Sequence, residues 1–315
     1  MTEKRRGAAG RRAPDYSPRP GYMRARARMG WLFISPAIIS LGLFLALPLF
    51  ASFGLSLTDF NVFAVRDWGR ASFIGLANYQ ALFRDPLFWI SLRNTLYFAI
   101  VAVPLSIAAS LTIALLLNRK DVKMKRFFRL GYFLPVITTT AAVAVVWRWV
   151  LNPRFGIVNW LLSLVGIEGP AWLADPRWAM PALIAMVIWR GLGWNMIIFL
   201  AGLQGIPKHY YEAAQIDGAN GWQLLWHITV PLLRPTMFFV TIMTIIGYLQ
   251  FFEEPFIMTD GGPLNATISV VLYIYRQGFR FFNLGYASAL AYVLFMIIIT
   301  ITLLRIWVGR TSSEY

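Results

Sequence analysis

Six stretches of this sequence, at about 31–58, 94–117, 127–150, 179–203, 236–258 and 284–307, each hold the ~20 apolar residues that a helix needs to cross the hydrocarbon core of a bilayer. A chain carrying six such runs has little freedom in fold class. In lipid every backbone N–H and C=O must be satisfied within the protein, so the runs are helices. The expected fold is all-α: a polytopic membrane protein with six transmembrane helices. Composition agrees, since 58% of the 315 residues are hydrophobic and 14% charged, against roughly 45–50% apolar in soluble domains. Trp31, Trp89, Trp147, Trp149, Trp178 and Trp307 flank run ends, where an amphipathic ring suits the headgroup region.

The net charge is +15, and its distribution carries more meaning than its size. Alternating the runs from an inside N-terminus places nineteen basic residues on one face: nine in the N-terminal tail, six between Arg119 and Arg129, and Lys208, Arg234, Arg305 and Arg310. The other face receives eight, while Arg148 and Arg190 fall within runs. The positive-inside rule therefore puts both termini in the cytoplasm and removes any need for a nucleic-acid partner. The tail, residues 1–30, is rich in arginine, glycine and proline and is expected to be disordered and to touch anionic membrane lipid. The first apolar run exceeds the ~7–15 residues of a signal-peptide core and has no clear small-x-small site after it, so no cleaved leader is expected. With no cysteine, disulfides and thiol chemistry are excluded.

The connections are short and punctuated. An external stretch, 59–93, carries turn signals at "TDFN", "FIGLANY" and "RDP". Residues 151–178 bracket "IVNWLLSLV", too short to span and expected to be interfacial, and 259–283 begins with the turn-forming "TDGGP". Two runs contain unusual polar groups. In "WRGLGWN", Arg190 lies near mid-run beside Gly191 and Gly193, which weaken the helix; an arginine at that depth should face the bundle interior, water or a carboxylate. In "YLQFFEEPF", Gln250, Glu253 and Glu254 stand among aromatics, and Pro255 interrupts the ladder.

The segment "YYEAAQIDGANGWQLLWHITVP", 210–231, is polar where its neighbours are apolar. Pro207 suits the first turn of a short helix running to about Asp217, and Gly218 stands where a helix ends in the left-handed conformation. A second short helix, about 220–229, should stop at Pro231 and Pro235. Ala213 and Ala214 give this cytoplasmic helix-turn-helix a smooth surface for docking into a groove of another protein. Glu212, Ala213, Ala214, Gly218 and the later Ile228, Val230 and Pro231 resemble the EAA loop of the membrane subunits of binding-protein-dependent ABC importers, with Val230 where the family usually has leucine.

The likeness extends over roughly 88–308. "FLPVITTTAAVAVVWRWVLNPRFGIVNWLL", "FLAGLQGIPKHYYEAAQIDGA" and "MTDGGPLNATISVVLYIYRQGF" resemble carbohydrate-uptake permeases related to the maltose, multiple-sugar and glycerol-phosphate systems. The resemblance implies a type I importer transmembrane domain at 88–308, preceded by a first helix and external loop at 31–87 and followed by a cytoplasmic tail at 309–315. It implies a heterodimer with a second, dissimilar permease, two copies of a cytoplasmic ATP-binding subunit, an external solute-binding protein, a sugar substrate and location in a bacterial or archaeal cell membrane.

No Gly-Lys dipeptide occurs, so the chain has no phosphate-cradling loop of its own and is expected to be a transport subunit rather than an enzyme, without cofactor or metal. Coupling to the ATPase falls to Glu212 as a charged contact, Ala213 and Ala214 as the packing surface, and Asp217 and Gly218 at the turn. For sugar, aromatic faces and planar polar groups near the midplane point to Tyr248, Gln250, Phe251, Phe252 and Glu253, with Arg190, Trp194 and Asn195 as second contributors. An ion-coupled secondary transporter is the rival class, but it would want a carboxylate buried mid-span. A membrane assembly factor would need no polar pathway.

Overall fold

The computed structural model describes residues 20–66, 71–119 and 121–310, and the side chains of 28–64, 71–119 and 121–307. Most of the N-terminal tail, with its expected disorder and lipid contact, lies outside the described residues, as do residues 311–315. The chain divides into two compact units, Met1–Ser52 and Phe53–Tyr315. In the first, helix α1 (Pro20–Leu41) begins earlier than the sequence reading expects. It continues through a widened turn at Gly42–Ala46 into α2 (Leu47–Ser56). Trp31, Phe33 and Phe44 are exposed on it, as a lipid-facing helix requires.

Among the described residues no strand forms; one isolated bridge joins Thr58 and Phe73. Among the described residues five helices are long and apolar enough to span: Arg28–Ser56, Pro86–Asn118 (α5), Pro176–Gln204 (α9), Arg234–Met258 and Leu284–Trp307. Short helices α3 (Val62–Arg66) and α4 (Ala77–Arg84) fill the external connection before α5. The run expected to be one span at 127–150 is instead two helices, α6 (Lys125–Ile137) and α7 (Thr140–Val150), bent by 102°. The cause is local. Thr138 donates its hydroxyl to the Leu134 carbonyl, and Thr139 caps α7 by accepting from Ala142 N–H. Threonine side chains thus compete with the backbone ladder, just past Pro135. Counting the bent pair as one span gives six.

Both α5 and α9 open with the same device. Asp85 Oδ1 accepts from Leu87 N–H at 2.8 Å and Asp175 Oδ1 from Arg177 N–H at 2.8 Å, each followed by proline in the first helical turn. The "RDP" turn signal is therefore also a helix start, which moves the beginning of the second span back from 94 to Pro86. Asp85 also accepts from the hydroxyls of Tyr273 and Tyr286. Burial opposes its charge, but these hydrogen bonds outweigh it and hold the carboxyl below its ordinary pKa. Burial, helped by the bond to Asp85, pushes the Tyr273 phenol up to about 12, so it remains a donor.

The core is α5 against α9, flanked by α6 and α13 (Arg234–Leu249). Small groups line the buried side of α5, including Ser91, Thr95, Ala99, Ala102, Ser106, Ser110 and Ala114. Between membrane helices the hydrophobic drive is absent, and close packing of such residues takes its place. Gly193 lies within the unbroken helix α9. A Cβ there would lie 2.2 Å from the Tyr132 carbonyl oxygen, so the glycine lets α6 and α9 touch backbone to backbone. Helix α8 (Ile157–Ser163) is short and exposes Trp160 and Leu161, as an interfacial helix should. Helices α10 (Lys208–Ile216), α11 (Gly221–Leu224), α12 (Val230–Leu232), α14 (Glu253–Met258), α15 (Val270–Tyr275) and α16 (Leu284–Arg310) complete the chain.

Candidate functional site

Two places interrupt the long helices with polar residues. The first is the link between α9 and α13. Helix α10 follows Pro207 and ends with Ala219 N–H on the Ala214 carbonyl at 2.9 Å and Gly218 N–H on the Gln215 carbonyl at 3.1 Å. This nested pair is a Schellman ending, and Gly218 takes the left-handed φ of +82° it requires. Asn220 then opens α11 with a reciprocal capping box to Gln223. A widened turn at Leu225–Thr229 leads into α12, which runs through Pro231 instead of stopping there, and Pro235 lies in the first turn of α13. Pro235 is tolerated because a first-turn N–H has no helical partner to lose, and Pro231 because it follows directly on the widened turn, where the regular ladder is already shifted.

This element is tied to itself and to the bundle. Tyr211 and Thr229 share a hydrogen bond of 3.1 Å across the two short helices. Ile206 and Leu233, at its two ends, are buried in one cluster with Phe199, Leu203 and Val240. Its outer face is open: Glu212, Ala213 and Asp217 are exposed, Ala214 is half-buried, and Ile216 is 87% exposed. Ala214, Asp217, Gly218, Gln223, His227 and Ile228 line a groove of about 390 Å³ on this face.

The second interruption is in the fifth apolar run. Helix α13 ends at Leu249, residues 250–252 are non-helical, and α14 resumes at Glu253. The break lies upstream of Pro255, because a proline ring collides with the carbonyl four residues earlier, here Phe251. The predicted residues part company here. Phe251 turns inward and stacks on Phe98, ring centroids 3.9 Å apart. Phe252 turns the other way, against Phe256 and Tyr275. Gln250 and Glu253 are exposed, whereas Glu254 is buried at 7% exposure with Oε1 3.9 Å from Arg190 Nη1. Arg190 thus finds the carboxylate its depth calls for, though Glu254 is not among the candidate site residues of the sequence reading.

One helical turn inward, a polar chain crosses three helices. Asn195 Nδ2 on α9 donates to Ser106 Oγ on α5 at 3.4 Å and to Thr244 Oγ1 on α13 at 3.3 Å, and the Tyr248 hydroxyl donates to Ser106 at 3.1 Å. Asn195, Ser106 and Thr244 are buried, so this chain satisfies polar groups that lipid cannot. Trp194, beside it, is exposed. Ser106 and Thr244 escape a reading by residue type because single hydroxyls in apolar runs usually bond their own helix. Among the described residues no cluster of His, Asp or Glu fits a metal ion.

An interfacial helix pair between two spans and a broken span beside it are features that comparison can test. The family described as binding-protein-dependent transport system inner membrane component matches residues 102–310. This chain belongs to that family. The permease is 36% identical over 286 residues to the lactose transport system permease protein LacF of Rhizobium radiobacter, covering 89% of this chain and 94% of that protein. It is 32% identical over 278 residues to the arabinooligosaccharides transport system permease protein AraP of Bacillus subtilis (strain 168), covering 88% and 87%. A solved bacterial alginate ABC transporter, in complex with an alginate pentasaccharide-bound periplasmic protein, matches with a TM-score of 0.80 at 25% identity over 94% of this chain and 99% of that one. The permease is accordingly a multi-pass cell-membrane protein and a transport component.

Proposed function

We propose that this permease carries carbohydrate into the cell as one half of an ABC importer, and that residues 207–232 are the element through which a separate ATPase drives it. One observation carries the reading. The element between α9 and α13 is rigid in itself, anchored at both ends in the core, and open on the face that bears Glu212, Ala213, Asp217 and Gly218. Exposed Ile216, Trp222 and Trp226 add apolar area that water does not favour and a partner surface would cover.

The partners that fit are a dissimilar second permease, two copies of a cytoplasmic ATP-binding subunit and an external binding protein; ATP is hydrolysed in the partner and not in this chain. Sugar is the substrate class of the relatives named for lactose and arabinooligosaccharides. Helix α10 follows α9 after Gly205–Pro207, and α12 adjoins α13 at Leu233, so a displacement of the element acts on both helices that bear the polar chain. Rocking α9 against α13 would open and close a route past Arg190, Asn195, Tyr248, Gln250 and Glu253, with Phe251 and Phe252 supporting the break. With the coupling element inside, both termini are cytoplasmic.

The test is the purified importer carrying Gly218→Val or Glu212→Ala, assayed for ATPase retention and for uptake into vesicles. Either variant should lose retention, or hydrolyse ATP without moving sugar. Full retention with wild-type uptake in both would reduce 207–232 to a well-capped surface helix pair. A C-terminal reporter active only outside the cell would overturn the topology.

A further inference from the structure

The known relatives leave the charge of the substrate open, since lactose and arabinooligosaccharides are neutral whereas alginate is an acidic polysaccharide. The broken span bears on that choice. Arg190 is a half-buried cation in the middle of α9, and its natural role in a sugar route would be to seize a carboxylate bidentately. Its position prevents this. Glu254, buried at the start of α14, lies 3.9 Å from Nη1 and compensates the charge. The contact is loose and one-armed, and the buried Nε of Arg190 has no hydrogen-bond partner. Glu253, the preceding residue, exposes its carboxylate. Arg148, on α7, directs its guanidinium to the Ile257 carbonyl at 3.4 Å, at the other end of α14.

We infer, resting on the sugar-import reading, that Glu254 is a specificity residue: it cancels the charge of Arg190 while leaving the guanidinium donors available, so that the route takes neutral sugar hydroxyls and rejects acidic sugars. A hydroxyl can accept from Arg190 and donate to Glu254, bridging the two at no cost in net charge. A uronate must approach Arg190 past the Glu254 carboxylate. Specificity here lies in the repulsive element as much as in the attractive one.

The experiment uses the assembled permease–ATPase core in lipid nanodiscs, without the binding protein, so that selection by the binding protein does not enter. Equilibrium binding of arabinotriose and of an alginate trisaccharide is measured for wild type, Glu254→Gln, and the double variant Arg190→Gln/Glu254→Gln. Glu254→Gln should raise alginate-trisaccharide affinity about tenfold, as expected for one uncompensated charge-assisted contact. The double variant should return it to the wild-type level. Should Glu254→Gln not assemble, Glu254→Asp, which retracts the carboxylate by one methylene, should give the same shift in smaller measure. No gain for the acidic sugar in the assembled Glu254 variant, or an equal gain in the double variant, overturns the inference. Sugar uptake by the complete wild-type importer is scored separately, so that failure of the import reading and failure of the charge reading remain distinct.

Discussion

The coupling element at 207–232 and the break at 250–252 are both interruptions of helix in an apolar chain, yet their backbone and side chains are satisfied by opposite means. In the first, the helix endings are made locally in sequence: the Schellman bonds close within six residues, and the Asn220 capping box within four. In the second, order comes from distant residues, with Phe251 held by Phe98 and Glu254 by Arg190. An interfacial turn can leave groups to water, whereas a break at membrane depth has only the rest of the protein. The first should therefore be altered without disturbing the bundle, and the second should not.

Phe251→Ala gives the largest expected effect. It removes a buried ring stacked on Phe98, costing on the order of 3 kcal/mol if the cavity does not collapse. Thermal unfolding of the purified core should fall clearly, with lost uptake following from lost packing. Gly218→Val comes next. A Cβ at Gly218 meets nothing within 4 Å, so its cost is conformational alone, about 1–2 kcal/mol for a branched residue at positive φ. ATPase coupling should fail while the unfolding temperature of the membrane core stays near wild type. Equal losses of core stability in both variants would break the distinction. Asn220→Ala should sharpen it: loss of the cap, about 1 kcal/mol, should raise amide exchange across 220–229 and nowhere in α13.

The same distinction explains what could be read from the sequence. The apolar runs are legible because span length is a property of contiguous residues, and Gly218 is legible because a helix ending is built from its neighbours. The bend at Thr138–Thr139 lay inside an unbroken apolar run, where threonines more often bond their own helix without breaking it. Which of two adjacent acids turns inward depends on how α14 is rotated after the break, and that is set by Phe251 and Phe252 choosing opposite sides. Hence Glu253 was expected at the site and Glu254 occupies the place beside Arg190. Asn195 was recognisable as polar at depth, but its partners Ser106 and Thr244 lie on other helices.

Asp85 combines both modes and gives the smallest expected effect. Its Oδ1 is a local cap on Leu87 N–H, while its Oδ2 receives Tyr286 at 2.8 Å and the Tyr273 hydroxyl from far along the chain. Its carboxyl is held below its ordinary pKa, so the stabilisation is present above the unfolded value near 3.9 and is lost as pH falls through the lower folded value. Asp85→Asn keeps an acceptor for the cap but removes the charge that the two phenols satisfy. The variant should unfold at a lower temperature than wild type at pH 7, and the gap should close as the pH is taken below about 4. A gap that persists unchanged into acid would assign the contribution of Asp85 to its shape and not to its charge. It would then belong with the locally determined caps, and the tyrosine contacts from α15 and α16 would be packing alone.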